Sequence, residues 1–476
     1  MAAKRQNQHD GSGDANRQLE LPFTPEAAGE AQSATGERVE ASVSPHTDQS
    51  QTHCPSVMQE VLKPENLGSA LRQVQANKGS PGIDGMTVDA LPEFLRGHWP
   101  EIRQQLMNGT YRPRPVRRVE IPKPDGGTRK LGVPTVLDRF IQQAVGQVLS
   151  RRWDRAFSDS SYGFRPGRST HQAVEMAQGH IAAGYAWVVD IDLEKFFDKV
   201  NHDKLMGRIM KRETDKALFK LIRAFLSAGV MENGLVGPTE EGVPQGGPLS
   251  PLLSNLVLDE LDKELEKRGH RFVRYADDCN IYVQSERAGR RVMEGVSRFI
   301  TEKLKLKVNS SKSADFGELS RAVDRPSRRK FLGFSFTGGK SPRRRIAPRA
   351  IERFKERIRE LTRQAKGQSL RQMVEPLGRF LRGWRAYFGI NQTPSVVKAL
   401  DEWIRRRLRC VVLRHWKTGR RRFAELRKRG VVKDLAAQTA GSCHGPWRLA
   451  RSPALSIALP NRFWDWLGIP RVAWNQ

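Results

Sequence analysis

Two short acidic stretches hold the residues in this sequence that could do chemistry. In Arg271-Phe-Val-Arg-Tyr-Ala-Asp-Asp-Cys-Asn-Ile-Tyr-Val283, Asp277 and Asp278 interrupt an apolar, β-prone run. An Asp-rich turn between two such runs predicts a hairpin with both carboxylates at its tip. An Asp pair in a turn is, taken alone, ordinary turn chemistry. The second stretch, Tyr185-Ala-Trp-Val-Val-Asp-Ile-Asp-Leu-Glu-Lys-Phe-Phe-Asp198, is also β-branched and ends in acidic residues. Asp190 and Asp192, two apart, share a strand face. If the two strands are neighbours, Asp192 from one and Asp277 and Asp278 from the other offer the hard oxygen ligands that Mg²⁺ takes alongside substrate phosphates. Two such ions, roughly 3.5–4 Å apart, activate an attacking hydroxyl and stabilise the leaving oxygen of an in-line displacement.

Three motifs in order give the stretches a family likeness. Tyr275-Ala-Asp-Asp278 resembles the Tyr-x-Asp-Asp motif of reverse transcriptases, and Asp192 followed by Phe196-Phe197 resembles their first catalytic motif. Between them, Gly242-Val-Pro-Gln-Gly-Gly-Pro-Leu-Ser-Pro251 resembles their nucleotide-pocket motif. Further on, Arg379-Phe-Leu-Arg-Gly-Trp-Arg-Ala-Tyr-Phe388 resembles a block of the maturase-specific thumb, which narrows the likeness to the group II intron-encoded reverse transcriptase/maturase family. The resemblance covers roughly residues 57–430. It implies that Asp192, rather than Asp190, is the principal ligand of its strand, that Gln245 and Gly246 line the dNTP pocket, and that Phe197 packs under the sugar, where a bulky ring would exclude a 2′-hydroxyl. Of the two adjacent rings one is expected in the core, because neighbours at a strand end point to opposite faces.

The elements that must position these residues can be read along the chain. Residues 1–55 are rich in Gly, Ser, Gln, Ala, Glu and Thr without an apolar period, the composition of a disordered segment. An amphipathic pattern then predicts helices from Val57, broken at Pro64. The Gly-rich loop Asn77–Met86 is a turn cluster that the resemblance places against the template. Two β-capable runs around Asp125-Gly126-Gly127 predict a hairpin flanked by Lys123 and Arg129, and the resemblance gives these cations to the triphosphate. A helix is expected from Thr135 to Trp153. In Ser161-Tyr-Gly-Phe-Arg-Pro-Gly-Arg-Ser169, Arg165 and Arg168 either touch phosphate or merely cap a helix beginning near Ser169. A helix is also expected from about Ser250, a strand over Leu304–Ser313 and a second, aromatic strand over Lys330–Phe336.

Charge points to the partner. The 476 residues hold 82 Lys and Arg against 52 Asp and Glu, a net charge of +30. Such an excess suits a polyanion, most simply nucleic acid. It is concentrated in residues 341–430, with 27 cations and 7 anions. There Ile351, Phe354, Ile358 and Leu361 mark the apolar face of a basic helix; Trp384, Tyr387 and Phe388, at i, i+3 and i+4, are expected in the core, with Arg379, Arg382 and Arg385 turned outward onto RNA phosphates. The four cysteines form no C-x-x-C pair, and Cys443-His444 alone does not make a metal site, so neither a disulfide framework nor the endonuclease module of some family members is expected. No apolar run is long enough to span a bilayer, so a soluble, cytoplasmic protein without membrane association is expected.

The fold expected is α+β: a right-hand polymerase with fingers and palm, built of antiparallel sheet plus helices, and an α-helical thumb/maturase domain. The expected division is a disordered segment over 1–55, fingers and palm over 56–340, thumb/maturase over 341–430, and a short C-terminal region over 431–476 that is a candidate for DNA binding. The function implied is RNA-directed DNA synthesis with two Mg²⁺ ions, using dNTPs, an RNA template and a DNA primer or target, together with binding of the intron RNA to assist splicing and mobility. A homodimer is compatible with this reading. Two alternatives stand beside it: a non-intron bacterial reverse transcriptase, for example in antiviral defence, and an RNA-binding splicing cofactor without polymerase activity.

Overall fold

A computed structural model describes residues 56–122, 128–194, 196–232, 235–237, 241–243, 246–309, 322–363 and 370–473. The N-terminal 55 residues, the tip of the first hairpin with Lys123, the Pro244-Gln245 pair and residues 310–321 lie outside the described residues.

The chain opens with helices α1 (Val57–Val61), α2 (Pro64–Ala76) and α3 (Leu91–Asn108). Pro64 stands in the first turn of α2, where its missing N–H costs nothing. Strands β1 (Val116–Pro122) and β2 (Thr128–Val133) pair antiparallel, with Ile121 opposite Arg129. Helix α4 (Val136–Trp153) is capped by the Thr135 side chain and is buried along much of its length. After it, α5 (Thr170–Ala182) begins with a capping box from Ser169.

The central sheet comes next. Its strands β3 (Trp187–Ile191), β6 (Arg271–Tyr275), β7 (Asp278–Val283) and β8 (Val323–Asp324) lie in the order β6-β7-β3-β8, all antiparallel. Two small strands, β4 (Val230–Glu232) and β5 (Leu235–Gly237), extend the β1–β2 sheet instead. Between them in sequence, α6 (His202–Met210), α7 (Lys216–Leu226), α8 (Ser250–Lys267) and α9 (Glu286–Phe299) complete the first part of the molecule.

Strand alternation gives the sheet two unlike faces. Val189, Ile191, Phe272, Cys279, Ile281 and Val283 join the core built with α4, α8 and α9. Val188, Val273 and Tyr282 join a second core shared with the C-terminal helices. Asp190 and Asp278 belong by register to this second face, since Asp190 pairs with Asn280 and Tyr275 with Asp278.

The expected strand over Leu304–Ser313 does not form in the described part. Helix α9 runs into a π turn over Ile300–Leu304, Lys305 takes a left-handed conformation, and only Val308 bridges to Leu193. The alternation there was set by Leu304 and Leu306 seeking the core from a helix end and a turn, and both are buried. The aromatic strand near Lys330 shortens to β9 (Phe334–Phe336), paired with β10 (Arg344–Ile346).

The basic region is helical: α10 (Pro348–Arg363), α11 (Leu370–Phe388), α12 (Pro394–His415) and α13 (Gly419–Lys428). Phe354, Ile358, Trp384 and Phe388 are buried as expected, but Tyr387 is 38% exposed and donates its hydroxyl to the Leu332 carbonyl. A phenol needs such a partner, which draws it to the core margin. Residues after 430 fold onto the same core, where Leu455, Trp464 and Ile469 sit with Leu377 and Leu408. Among the described residues no helix is long and apolar enough to cross a membrane.

Candidate active site

The β6–β7 hairpin closes in two residues, Ala276 and Asp277, between Tyr275 and Asp278. Ala276 sits at φ 58°, where a side chain is disfavoured, so the turn must be held from outside. Asp278 opens β7. On its other side β7 pairs with β3, Ile191 opposite Cys279, and one further step along this register brings Asp192 opposite Asp278. Two acidic stretches more than eighty residues apart in sequence are thus adjacent.

Asp192 lies just past the end of β3. Asn309 holds it twice, donating its Nδ2 to Oδ2 at 2.8 Å and its backbone N–H to the Asp192 carbonyl at 2.8 Å. Asp190 has Arg329 at 3.7 Å. The Asp278 carboxyl is pushed up to about 7, first by burial and then by the charges of Asp190, Asp277 and Asp192. Concentrated negative charge on oxygen donors is the chemistry that accepts a hard divalent cation. Among the described residues no three such side chains already close into a metal site. Like charges repel at this range, and Asn309 draws one oxygen of Asp192 aside, so cations would complete the convergence together with substrate phosphates. Asp192, Asp277 and Asp278 fit that role.

The network that holds the turn was not expected from sequence. Arg274, wholly buried, donates Nε and Nη2 to Asp262 of α8 at 2.7 and 2.5 Å. Its Nη1 reaches Asn255 Oδ1 at 2.9 Å and the carbonyl of Ala276 at 2.8 Å. Asn255 in turn donates to the Gly163 carbonyl at 2.8 Å. Burial opposes the charge on Arg274, but the attraction and hydrogen bonds of Asp262 outweigh it and hold the guanidinium above its ordinary range. The signal for this network was present: a cation inside the apolar run Phe272–Tyr275, and two polar residues seven apart on an apolar helix, each demanding a partner.

The other expected site residues fall into three groups. Phe197 is half-buried and Phe196 buried, on a 3-10 turn over Phe196–Asp198 rather than at a strand end; helical spacing, not strand alternation, separates them. The Phe197 carbonyl accepts from Val243 N–H, which ties its backbone to the segment leading into Gly246. Gly246 has φ 132°, and a Cβ there would meet the Gly132 carbonyl of β2 at 2.6 Å, so this position requires glycine. Arg129 is exposed on β2. Gly246 therefore lies against β2, the strand that carries Arg129, and Phe197 is joined to the segment just before it, while Lys123 and Gln245 lie outside the described residues. Arg165 is a correction to the phosphate reading. It is buried, paired with Asp154 at 2.8 Å and donating to the Ser161 carbonyl at 2.9 Å, so its guanidinium is spent within the protein. Arg168 pairs with Asp159 at 2.6 Å. Arg379, Arg382 and Arg385 are exposed on one side of α11, and Arg379 also pairs with Glu375.

Comparison with known proteins agrees with this geometry. Residues 121–336 match the family described as reverse transcriptase (RNA-dependent DNA polymerase), and residues 351–430 match the group II intron, maturase-specific domain. Protein YkfC of Escherichia coli (strain K12) is 38% identical over 214 residues, 44% of this chain and 56% of that protein. The group II intron-encoded protein LtrA of Lactococcus lactis subsp. cremoris is 39% identical over 204 residues, 43% of this chain and 34% of that protein. The chain therefore spans about half and a third, respectively, of the lengths of these relatives. The chain thus joins a domain matching reverse transcriptases, which holds the two acidic stretches, to one matching the group II intron maturase-specific domain.

Proposed function

We propose that the chain is an RNA-directed DNA polymerase that transfers nucleotides from dNTPs to a primer 3′-hydroxyl, and that it also binds its intron RNA and assists splicing and mobility. The observation that carries the first half is the register that sets Asp192 opposite Asp278 and beside Asp277. In this reading Asp192, Asp277 and Asp278 hold two Mg²⁺ ions. When bound, these would favour ionisation of the attacking hydroxyl and neutralise charge on the departing pyrophosphate. Asn309 fixes the rotamer of Asp192. Arg129, with Lys123 and Gln245, meets the triphosphate and base of the incoming nucleotide. Phe197 closes the floor under its sugar and disfavours a 2′-hydroxyl.

The RNA-binding half rests on the exposed cations of α11. Arg382 also borders, with Arg371 and Trp466, a depression of about 380 Å³ between α11 and the C-terminal segment. Arginine beside an exposed aromatic suits unpaired nucleotides, whose bases stack and whose phosphates pair. Residues 56–340 would serve as fingers and palm and 341–430 as thumb, with dNTPs, RNA template and DNA primer as partners.

Primer extension on an RNA template with Mg²⁺ and dNTPs tests the proposal. Extension by the wild-type chain is expected. A folded chain that binds RNA tightly yet extends nothing would favour the splicing-cofactor reading instead.

A further inference from the structure

The loop between α4 and α5 presents a ring that the chemistry above leaves unused. Phe164 is 53% exposed and adopts φ 58°. A bulky residue in that region is an outlier, and such conformations persist only where the surroundings enforce them. Enforcement comes from both sides. Before the ring, the Gly163 carbonyl accepts from buried Asn255, and a Cβ on Gly163 would meet Ala276 N at 2.3 Å, so this loop lies directly against the catalytic turn. After the ring, Arg165 is anchored by Asp154 and the Ser161 carbonyl. The chain thus spends a buried arginine, a buried asparagine and an obligatory glycine to display one apolar ring in water, where burial gives it little return.

Its neighbours say which substrate group it faces. The ring lies 6.4 Å from that of Tyr275, inclined by 44°. Tyr162 N–H donates to the Arg274 carbonyl and Arg274 N–H to that of Ser160, so the loop lines the outer side of β6. Across the sheet, β7 and then β3 follow, and Phe197 comes six residues after the end of β3 along the chain. Two nucleotides must meet at the carboxylates. With the incoming one held on the β3 side, the β6 side remains for the end of the primer.

We propose that Phe164, beside Tyr275, is the platform on which the 3′-terminal nucleotide of the primer rests. The assignment depends on the polymerase reading. Stacking of a base on an aromatic side chain is lost on truncation to alanine with an effect on the order of tenfold in affinity.

Single-nucleotide incorporation by the full chain on a primed RNA template tests it, varying primer–template and dNTP separately for wild type, Phe164→Ala, Phe164→Gly and Phe164→Trp. Ala and Gly variants should raise the primer–template KM about tenfold, leave the dNTP KM and the melting temperature unchanged, and Trp should restore the wild-type value. The glycine variant also relieves the backbone at φ 58°, so strain and ring loss are separated. An unchanged primer–template KM, or a rise confined to the dNTP KM, overturns the assignment while leaving the polymerase reading intact. Failure of both ring-less variants to fold would assign the ring to structure and overturn it equally. Absence of incorporation by the wild type overturns the polymerase reading and this assignment together.

Discussion

Arg274 and Asp262 meet inside the molecule at 2.5 Å, both side chains at 0% exposure, and this pair ties the turn that carries Asp277 to helix α8. The same helix begins just after the Gly246-Gly247 pair, so one ion pair links the carboxylate turn to the Gly246-Gly247 segment. Removing one member would leave an uncompensated buried charge.

Arg274→Met should therefore destabilise the protein by about 3–5 kcal/mol, whereas Arg274→Met with Asp262→Leu should recover much of that loss. Denaturant titration of the single and double variants checks this. A cost below about 1 kcal/mol for the single variant would mean that the pair does not hold the turn.

The carboxylate cluster should make metal-free stability depend on pH. Asp278 is raised to about 7, above the ordinary carboxyl value it regains on unfolding. Between about pH 4 and 7 the folded state then holds a proton that the unfolded chain has lost, so stability is present below this window and falls as pH rises through it. Urea titrations in chelator at stepped pH should show that fall, and Asp278→Asn should remove it. A flat profile for the wild type would show that the cluster carries less repulsion than its geometry implies.

Sugar selection should rest on Phe197. Phe197→Ala should admit ribonucleotides while retaining dNTP incorporation, measured as the ratio of kcat/KM values for a dNTP and its matching NTP. An unchanged ratio would place the sugar-facing ring elsewhere.

On the RNA side, replacing Arg379, Arg382 and Arg385 together by Gln should weaken binding of single-stranded RNA. It should also flatten the dependence of log Kd on log salt by roughly 0.7 for each phosphate that the variant no longer neutralises. Equal slopes for variant and wild type would remove these arginines from the interface.

What could be read in advance divides along physical lines. The adjacency of the two acidic stretches was legible because each stretch is a β-prone run with acidic residues at its end, and the hairpin and the helices at Thr135 and Ser250 follow from local propensity and capping. Interactions set by tertiary packing were not. Arg165 and Arg168 look alike in sequence, yet one is buried on Asp154 and the other half-buried beside Asp159, and only the fold decides which. Leu304 and Leu306 alternate as a strand would, although a π turn and a left-handed residue place both in the core. Asn255 and Asp262 stand out locally only as polar residues on an apolar helix, which does not name Arg274 as their partner, and no local pattern marks Asn309.

If Asp278 is a catalytic carboxylate of nucleotidyl transfer and RNA is bound elsewhere, removing its charge should separate the two activities. The most direct test is single-turnover dNTP incorporation on a primed RNA template, run beside an RNA-binding titration, for wild type and Asp278→Asn. Asp278→Asn should lose incorporation by at least about a thousandfold, the scale seen when a preorganised transition-state group is removed, with RNA affinity within a factor of about two. Incorporation that survives in the folded variant, or RNA affinity that falls together with it, would contradict this separation.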